Sequence, residues 1–431
     1  MKADNVDFSK STLLLEQTEH IIPLGSQTFS KSRVNFPVGQ APLFVTHAEG
    51  CQIWDVDGNQ YIDFINGLLS VTLGYQNPLV DKAVIQQLQK GVTFSLPHTL
   101  EREVAELIVE LVPCAEMVRF GKNGTDATSA AIRLSRAYTG KDHIAVCGYH
   151  GWQDWYIGST SRNLGVPKST QELTHTFTYN DLDSLRRIFE EHNDQIAAVI
   201  LEPMNTTEPS PGFLSGIREL CDKHGAVMVF DETITGFRFA KGGAQSLFNV
   251  IPDLATFGKG MSNGFPLSAV TGRKEIMKVM NDIFFSGTFG GETLSLAASK
   301  AVLEEIKADR VIPKLIETGQ RILDEVNRLI QKHQVKWLQI SGHPTWSLLA
   351  FSNTEHYSLW QIKTFFMQEM LKRGILIQAS HNVSCAHTEA DLDHLIVCYE
   401  EVLPLINEAL KQQDLEDKLL TPPLEPLFAV R

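Results

Sequence analysis

Apolar positions fall into two rhythms along the chain. Between residues 115 and 270, short apolar runs alternate with stretches whose apolar residues recur every three or four positions. Strands are predicted at 117–120, 143–147, 197–201, 226–230 and 254–257, and helices at 127–138, 181–192 and 214–224. Apolar strands separated by amphipathic helices predict an α/β fold, a mostly parallel sheet wrapped by helices. Upstream, an amphipathic stretch at 13–22 is broken by Pro23 and Gly25, and residues 43–65 alternate around Asp55-Val56-Asp57-Gly58-Asn59, the signature of a hairpin. Helices are predicted at 79–91 and 101–112, the second ended by Pro113. Downstream, helices at 292–308 and 310–333 lead into a smaller C-terminal α+β unit. Its strands are predicted near 336–341, 346–351 and 375–378, its helices near 358–373 and 389–412, and its tail from 420 to 431 as irregular. The expected organisation is a segment 1–60 packing with the small domain, a large domain over 61–309 and a small domain over 310–431.

Two of the predicted strands deliver chemistry at their carboxyl ends, where ligands of α/β sheets sit. The run 226–230 ends in Asp231 and Glu232, and the run 254–257 in Gly258-Lys259-Gly260. A lysine between glycines and a nearby carboxylate suit pyridoxal phosphate, the amine forming a Schiff base and the acid holding the pyridine nitrogen protonated. Taken singly, Asp231 also reads as a turn cap and Lys259 as a surface lysine. The glycine-bearing turn Asn123-Gly124-Thr125 opens a helix, which suits a phosphate or an ordinary cap. Tyr149, His150 and Trp152 follow the strand 143–147, where an aromatic ring suits stacking on a flat heterocycle or packing in a turn. The polar segment 26–33 reads as a solvated loop or as the lining of a site for an anionic or polyhydroxylated ligand. Lys31, Arg33, His150 and Trp152 are therefore candidate substrate contacts.

Composition narrows the function classes. The 431 residues exceed one ordinary core; 43% are hydrophobic and 21% charged. With 38 Lys and Arg against 51 Asp and Glu, the net charge is −13, which disfavours nucleic acid and anionic membrane as partners. Six scattered cysteines without a CxxC pair predict reduced thiols in a cytoplasmic compartment, and the first eleven residues have no apolar signal-peptide core. The fourteen histidines are dispersed, with neither HExxH nor a paired cysteine site, so no metal is expected.

An ordered set of motifs then carries a resemblance. Trp54-Asp55-Val56-Asp57-Gly58-Asn59 with Tyr61-Ile62-Asp63, Asn123-Gly124-Thr125-Asp126-Ala127, Tyr149-His150-Gly151, Leu201-Glu202-Pro203, Phe230-Asp231-Glu232 with Gly236-Phe237-Arg238, Gly258-Lys259-Gly260 and Ala386-His387-Thr388 span nearly the whole chain. Each is weak alone, and the series together is specific. It resembles the class III pyridoxal-phosphate-dependent aminotransferases of fold type I, most of all the glutamate-1-semialdehyde 2,1-aminomutase branch. The resemblance implies Lys259 as the Schiff-base lysine, Asp231 as the pyridinium partner, and Gly124 and Thr125 amides on the phosphate. It also implies Tyr149 on the ring, Glu202 behind Asp231 or near the cofactor, and Asn205 at the phenolic oxygen. Thr288, in the glycine-rich run 285–291, would reach the phosphate of a neighbouring subunit in a homodimer.

Two positions depart from the aminomutase pattern. Counting from Asp63 places Leu68 where that branch carries tryptophan, and counting back from Ala386 places Ala379 where it carries glutamate. The expected function is therefore intermolecular, ping-pong amino transfer from an amino acid to a carbonyl acceptor such as a keto sugar or keto acid. Intramolecular aminomutation is the alternative within the fold. Outside it stands a non-enzymatic cofactor-binding regulator, which the absence of a basic helix-turn-helix segment disfavours.

Overall fold

Residues 6–426 are described by the computed structural model. They divide into two units, one formed by the chain up to Asn77 together with residues from Lys314 onward, the other by Pro78–Pro313.

The unit 78–313 is built on a seven-stranded sheet. Its strands are β1 (Met117–Gly121), β2 (His143–Cys147), β3 (Thr174–Thr176), β4 (Ile196–Leu201), β5 (Val227–Asp231), β6 (Leu254–Phe257) and β7 (Ser268–Gly272). Spatial order is β1-β7-β6-β5-β4-β2-β3. All neighbours are parallel except β7, which runs antiparallel to both β1 and β6. The strands β4 to β7 are buried at every residue, as sheets covered on both faces require. On one face Ile144, Val146, Ala198, Ile200 and Val229 pack against Ala127, Ala130, Ala131 and Leu134 of helix α1 (Gly124–Thr139). On the other, Ala145, Val199, Leu201, Met228 and Phe230 meet α2 (Leu182–Glu191) and α3 (Phe213–His224). The alanines of α1 let its axis lie close to the sheet, which fixes where the helix begins. Short β3 and antiparallel β7 lie beyond the predicted strands.

The unit up to 77 and from 314 carries two small sheets. The strands Val45–Glu49, Gln52–Asp55 and Gln60–Asp63 form an antiparallel meander extended in parallel by Ile375–Leu376. Asp55 shapes the predicted hairpin: its Oδ1 accepts from the amides of Asp57 at 3.0 Å and Asn59 at 2.8 Å, while Gly58 takes φ 93°. The second sheet is Leu338–His343, Trp346–Phe351 and Ser380–Asn382. The helices Leu359–Lys372 and Glu389–Gln412 lie where the periodicity predicts them. The tail expected to be irregular has no helix or strand from 420 to 426, and 427–431 lie outside the described residues. Among the described residues no helix is long and apolar enough to cross a membrane.

One helix of this unit depends on a glycine. A Cβ built at Gly319, inside the helix Ile312–Lys332, falls 1.7 Å from the carbonyl oxygen of Pro344. Alanine gains about 1 kcal/mol of helix propensity, but overpacking against backbone costs about 3 kcal/mol. Gly319→Ala is therefore expected to lower the stability of this unit by about 2 kcal/mol, seen as an earlier urea transition. An unchanged midpoint would mean that the helix and the Pro344 backbone are not in contact.

Candidate active site

Four neighbouring strands of the large sheet end at one edge. With a strand spacing near 4.8 Å, the carboxyl ends of β6, β5, β4 and β2 span roughly 14 Å. The residues that leave those ends are Lys259, Asp231, Glu202 and the turn Tyr149-His150.

Asp231 is 4% exposed and is held on both oxygens, with Oδ2 having a single protein partner. Its Oδ1 accepts from the Thr233 amide at 3.1 Å, the Thr233 hydroxyl at 2.5 Å and the Thr256 hydroxyl at 3.0 Å; its Oδ2 faces His150 Nδ1 at 2.8 Å. Burial alone would raise this carboxyl, but hydrogen bonds from His150 and Thr233 and the charge of His150 hold it below the usual range. Glu202 has the opposite balance. Burial and the nearby Asp231 raise it, against the opposing pull of His150, the Tyr149 amide and Lys259. Its Oε2 accepts from the Tyr149 amide at 3.0 Å and from Asn205 Nδ2 at 2.9 Å. Two carboxyls in one crevice thus have environments that push their acidities apart.

His150 lies behind Asp231. It is 2% exposed, and its Nε2 faces the Cys147 carbonyl at 3.1 Å. Carboxylate and carbonyl both accept, so each ring nitrogen of His150 faces an acceptor. Cys147 itself is no nucleophile, because burial and the Glu202 carboxylate push its thiol up to about 12.

Lys259 sits in the left-handed region at φ 44°, a conformation that side chains other than glycine rarely adopt. Such strain concentrates at functional sites. Burial lowers the affinity of its amine for a proton, with Arg238 adding to the effect and Glu202 and Asp231 opposing it. Glycines bring the rest together. A Cβ at Gly258 would lie 3.4 Å from Thr233 and 3.8 Å from Gly124, and one at Gly124 would lie 3.2 Å from Thr233. The start of α1 is thereby set beside the Asp231 turn and the lysine. Next to it, Thr125 Oγ1 is buried without a hydrogen-bond partner, and a Cβ at Gly151, where φ is 108°, would come within 2.4 Å of it.

The remaining candidates are placed differently. The Tyr149 ring is 51% exposed and T-shaped to Tyr156 at 5.6 Å, while Trp152 is 66% exposed. Thr288 is exposed in a turn bracketed by exposed Phe284 and Phe289. Lys31 and Arg33 belong to the other unit: Arg33 pairs with Glu19, and Lys31 lines a cleft with Asp63 and Tyr75. Glu232, paired with Asp231 in the sequence, turns away to accept from the amides of Ala244 at 2.7 Å and Gln245 at 3.0 Å. Sequence reasoning missed Thr233 and Thr256 as the orienters of Asp231. The Asp-x-Thr spacing after a strand, which favours an Asx turn, is a signal for the first; Thr256 is recognisable only once β5 and β6 pair.

Comparison with known proteins identifies the family. The family model described as Aminotransferase class-III matches residues 34–392. A 3-aminobutyryl-CoA aminotransferase of Cloacimonas acidaminovorans (strain Evry) is 34% identical over 418 residues, covering 95% of this chain and 100% of the relative. Glutamate-1-semialdehyde 2,1-aminomutase 2 of Lachnoclostridium phytofermentans is 37% identical over 428 residues, covering 92% of this chain and 100% of that one. Among solved structures, the PLP internal aldimine form of the Sphingopyxis sp. MTA144 FumI protein matches with a TM-score of 0.88 at 28% identity, covering 96% of this chain and 99% of that chain. With the strand-end lysine and acid, the matched family model and these relatives in view, the chain belongs to the class III aminotransferases, pyridoxal-phosphate-dependent transaminases of fold type I.

Proposed function

We propose that the chain transfers an amino group between molecules, from an amino acid donor to a carbonyl acceptor of the keto acid or keto sugar class. The observation that carries the proposal is the delivery of Asp231 and Lys259 from the carboxyl ends of the paired strands β5 and β6, where burial loosens the lysine's hold on its proton against the opposing charge of Asp231. The orphaned Thr125 hydroxyl, in the first turn of α1 beside a capping box of Asn123 and Asp126, fits a phosphate group at the positive end of the helix dipole. Pyridoxal phosphate, when bound, supplies an aldehyde for the amine and a ring that accepts electron density from the substrate carbon.

The residues divide the remaining work. Lys259 holds the cofactor and, when displaced, Nζ takes and returns the substrate proton; partial burial keeps it neutral enough to do so. Asp231 keeps a negative charge toward the pyridine nitrogen, oriented by His150, Thr233 and Thr256. Gly124 and Thr125 would hold the phosphate, Tyr149 would cover the ring, and Glu202, which accepts from Asn205, would set that amide toward the phenolic oxygen. Lys31, Arg33 and Trp152 are assigned to substrate, while the Asp231 contact gives His150 a positioning role. The working form is a homodimer in which Thr288 serves the neighbouring subunit; exposed Phe284 and Phe289 on either side of Thr288 support a covered surface there. Six cysteines outside any disulfide support a reducing, cytoplasmic setting.

Aminomutation is the second reading, because a 37% identical relative bears that name. Leu68 and Ala379 stand against it, and Leu68 lies in a left-handed run with Asn66 and Leu69 that fixes its backbone. The two readings separate in a half-reaction. Glutamate, alanine or a 3-amino acyl compound, mixed singly with the holoenzyme, is expected to convert the bound cofactor to its aminated form and release one equivalent of keto product. A protein that ignores every donor in the panel but isomerises an amino aldehyde would be an aminomutase.

A further inference from the structure

Strand pairing gathers three histidines that are far apart in the sequence. His143 opens β2, His175 is the central residue of the edge strand β3, and His192 caps the end of α2. Ala145 stands opposite His175 in the parallel register, and His143 lies two residues before Ala145. Both imidazoles therefore project from the sheet face that α2 covers, where Leu185, Ile188 and Phe189 pack with Ala145 and Phe177. The three rings meet where that helix ends.

Their geometry converges on a small volume. His143 Nδ1 and His175 Nε2 are 2.8 Å apart, and one ring nitrogen from each of the three lies within 4.8 Å of the others. The ring centroids are 3.8 Å apart for His175 and His192 and 4.7 Å for His143 and His192. All three residues are partly buried.

We infer that His143, His175 and His192 bind a divalent transition-metal ion of the zinc class through three imidazole nitrogens, with water in the fourth position. Imidazole is the ligand such ions favour, and three are the usual protein share of an open tetrahedral site. With metal–nitrogen bonds of about 2.0 Å, tetrahedral ligand atoms stand about 3.3 Å apart. The three rings are stacked, with interplanar angles of 17° to 28°, so the close pair must open by roughly half an ångström and the rings must rotate out of the stack for their lone pairs to converge on one ion. The hydrogen shared between His143 and His175 moves to the other nitrogen of its own ring, so no net proton need be released.

The role is structural. His143 stands at the amino end of β2, roughly 13 Å along the strand from Cys147, after which the cofactor residues follow. An ion there would fasten the short edge strand β3 to α2 and blunt an edge otherwise open to pairing.

The test uses the cofactor-loaded enzyme after dialysis against a chelator. Calorimetric titration with zinc chloride is expected to show one ion per chain and a higher melting temperature. His143→Gln, His175→Gln and His192→Gln should each weaken binding at least about tenfold and remove the thermal shift. His224→Gln, a nearby histidine outside the triad, should leave both unchanged. Cobalt chloride in place of zinc should give visible d–d bands that the triad variants lose. Absence of stoichiometric binding, or binding that survives the His192→Gln change undiminished, overturns the inference. His192 ends a helix, so that variant carries the test even where the strand variants fail to fold.

Discussion

Replacing Lys259 by alanine is expected to abolish amino transfer, by at least about 10⁴-fold, the upper range for loss of a positioned proton-transfer group. Loss of the covalent anchor comes on top of that. The visible absorbance of the lysine-linked cofactor should disappear with it. Folding should persist: the side chain follows β6 rather than filling it, and the Leu254–Phe257 core is untouched. Alanine also leaves the φ of 44° in place as a local strain, on the order of 1–3 kcal/mol, so a glycine variant should be somewhat more stable than the alanine one while equally inactive. Added methylamine should restore a measurable rate to either, because the missing function is an amine at a known place. A variant that kept turnover and absorbance would show that another residue carries the cofactor.

Asp231→Asn is expected to lower the rate by about 10²–10³-fold or more, the range for removing one preorganised electrostatic partner, with cofactor still bound. The reason lies in what surrounds the carboxylate. Thr233, Thr256 and His150 all direct hydrogen atoms at it. An amide keeps one accepting oxygen but turns an NH₂ group toward some of these donors. A charge is lost and a donor clash is gained. The sign with pH follows from the same contacts. Asp231 is more acidic in the fold than in the unfolded chain, so its contribution to stability is present above the ordinary aspartate range and is lost only as pH falls through the lower folded value. The wild type should therefore lose more stability on acidification than the asparagine variant, measured by urea melts of the two cofactor-free proteins. Equal acid sensitivity would mean that Asp231 is not specifically stabilised.

The two residues with the largest expected effects were also the easiest to read from the sequence. An apolar run ending in a charged residue is a local pattern, and at β5 and β6 it marks both the strand and its functional tip. The helices with strong periodicity, such as Leu182–Glu191 and Phe213–His224, were legible for the same reason. What escaped is non-local. The strand β7 follows a glycine and proline turn and is only five residues long; its place between β1 and β6 comes from pairing, not propensity. Asp231 and Glu232 look alike in sequence, yet one faces the crevice and the other binds the start of the helix Ala244–Phe248. Alternation along a strand puts neighbours on opposite sides, but which side is the crevice depends on the sheet. His150 reads in the sequence as a candidate substrate contact beside Tyr149, and its burial against Asp231 shows only in the fold. The histidine triad was invisible for the same reason, since no spacing rule links a strand start, an edge strand and a helix end.

The measurement that bears most directly on this account is reduction of the cofactor-loaded enzyme with borohydride, followed by proteolysis and mass spectrometry. Reduction fixes a lysine-bound aldehyde as a stable secondary amine, so the labelled residue is read without reference to substrate or rate. The account predicts one pyridoxyl label per chain, on the peptide containing Lys259. A label on any other lysine, or none in a protein that still transfers amino groups, would contradict it.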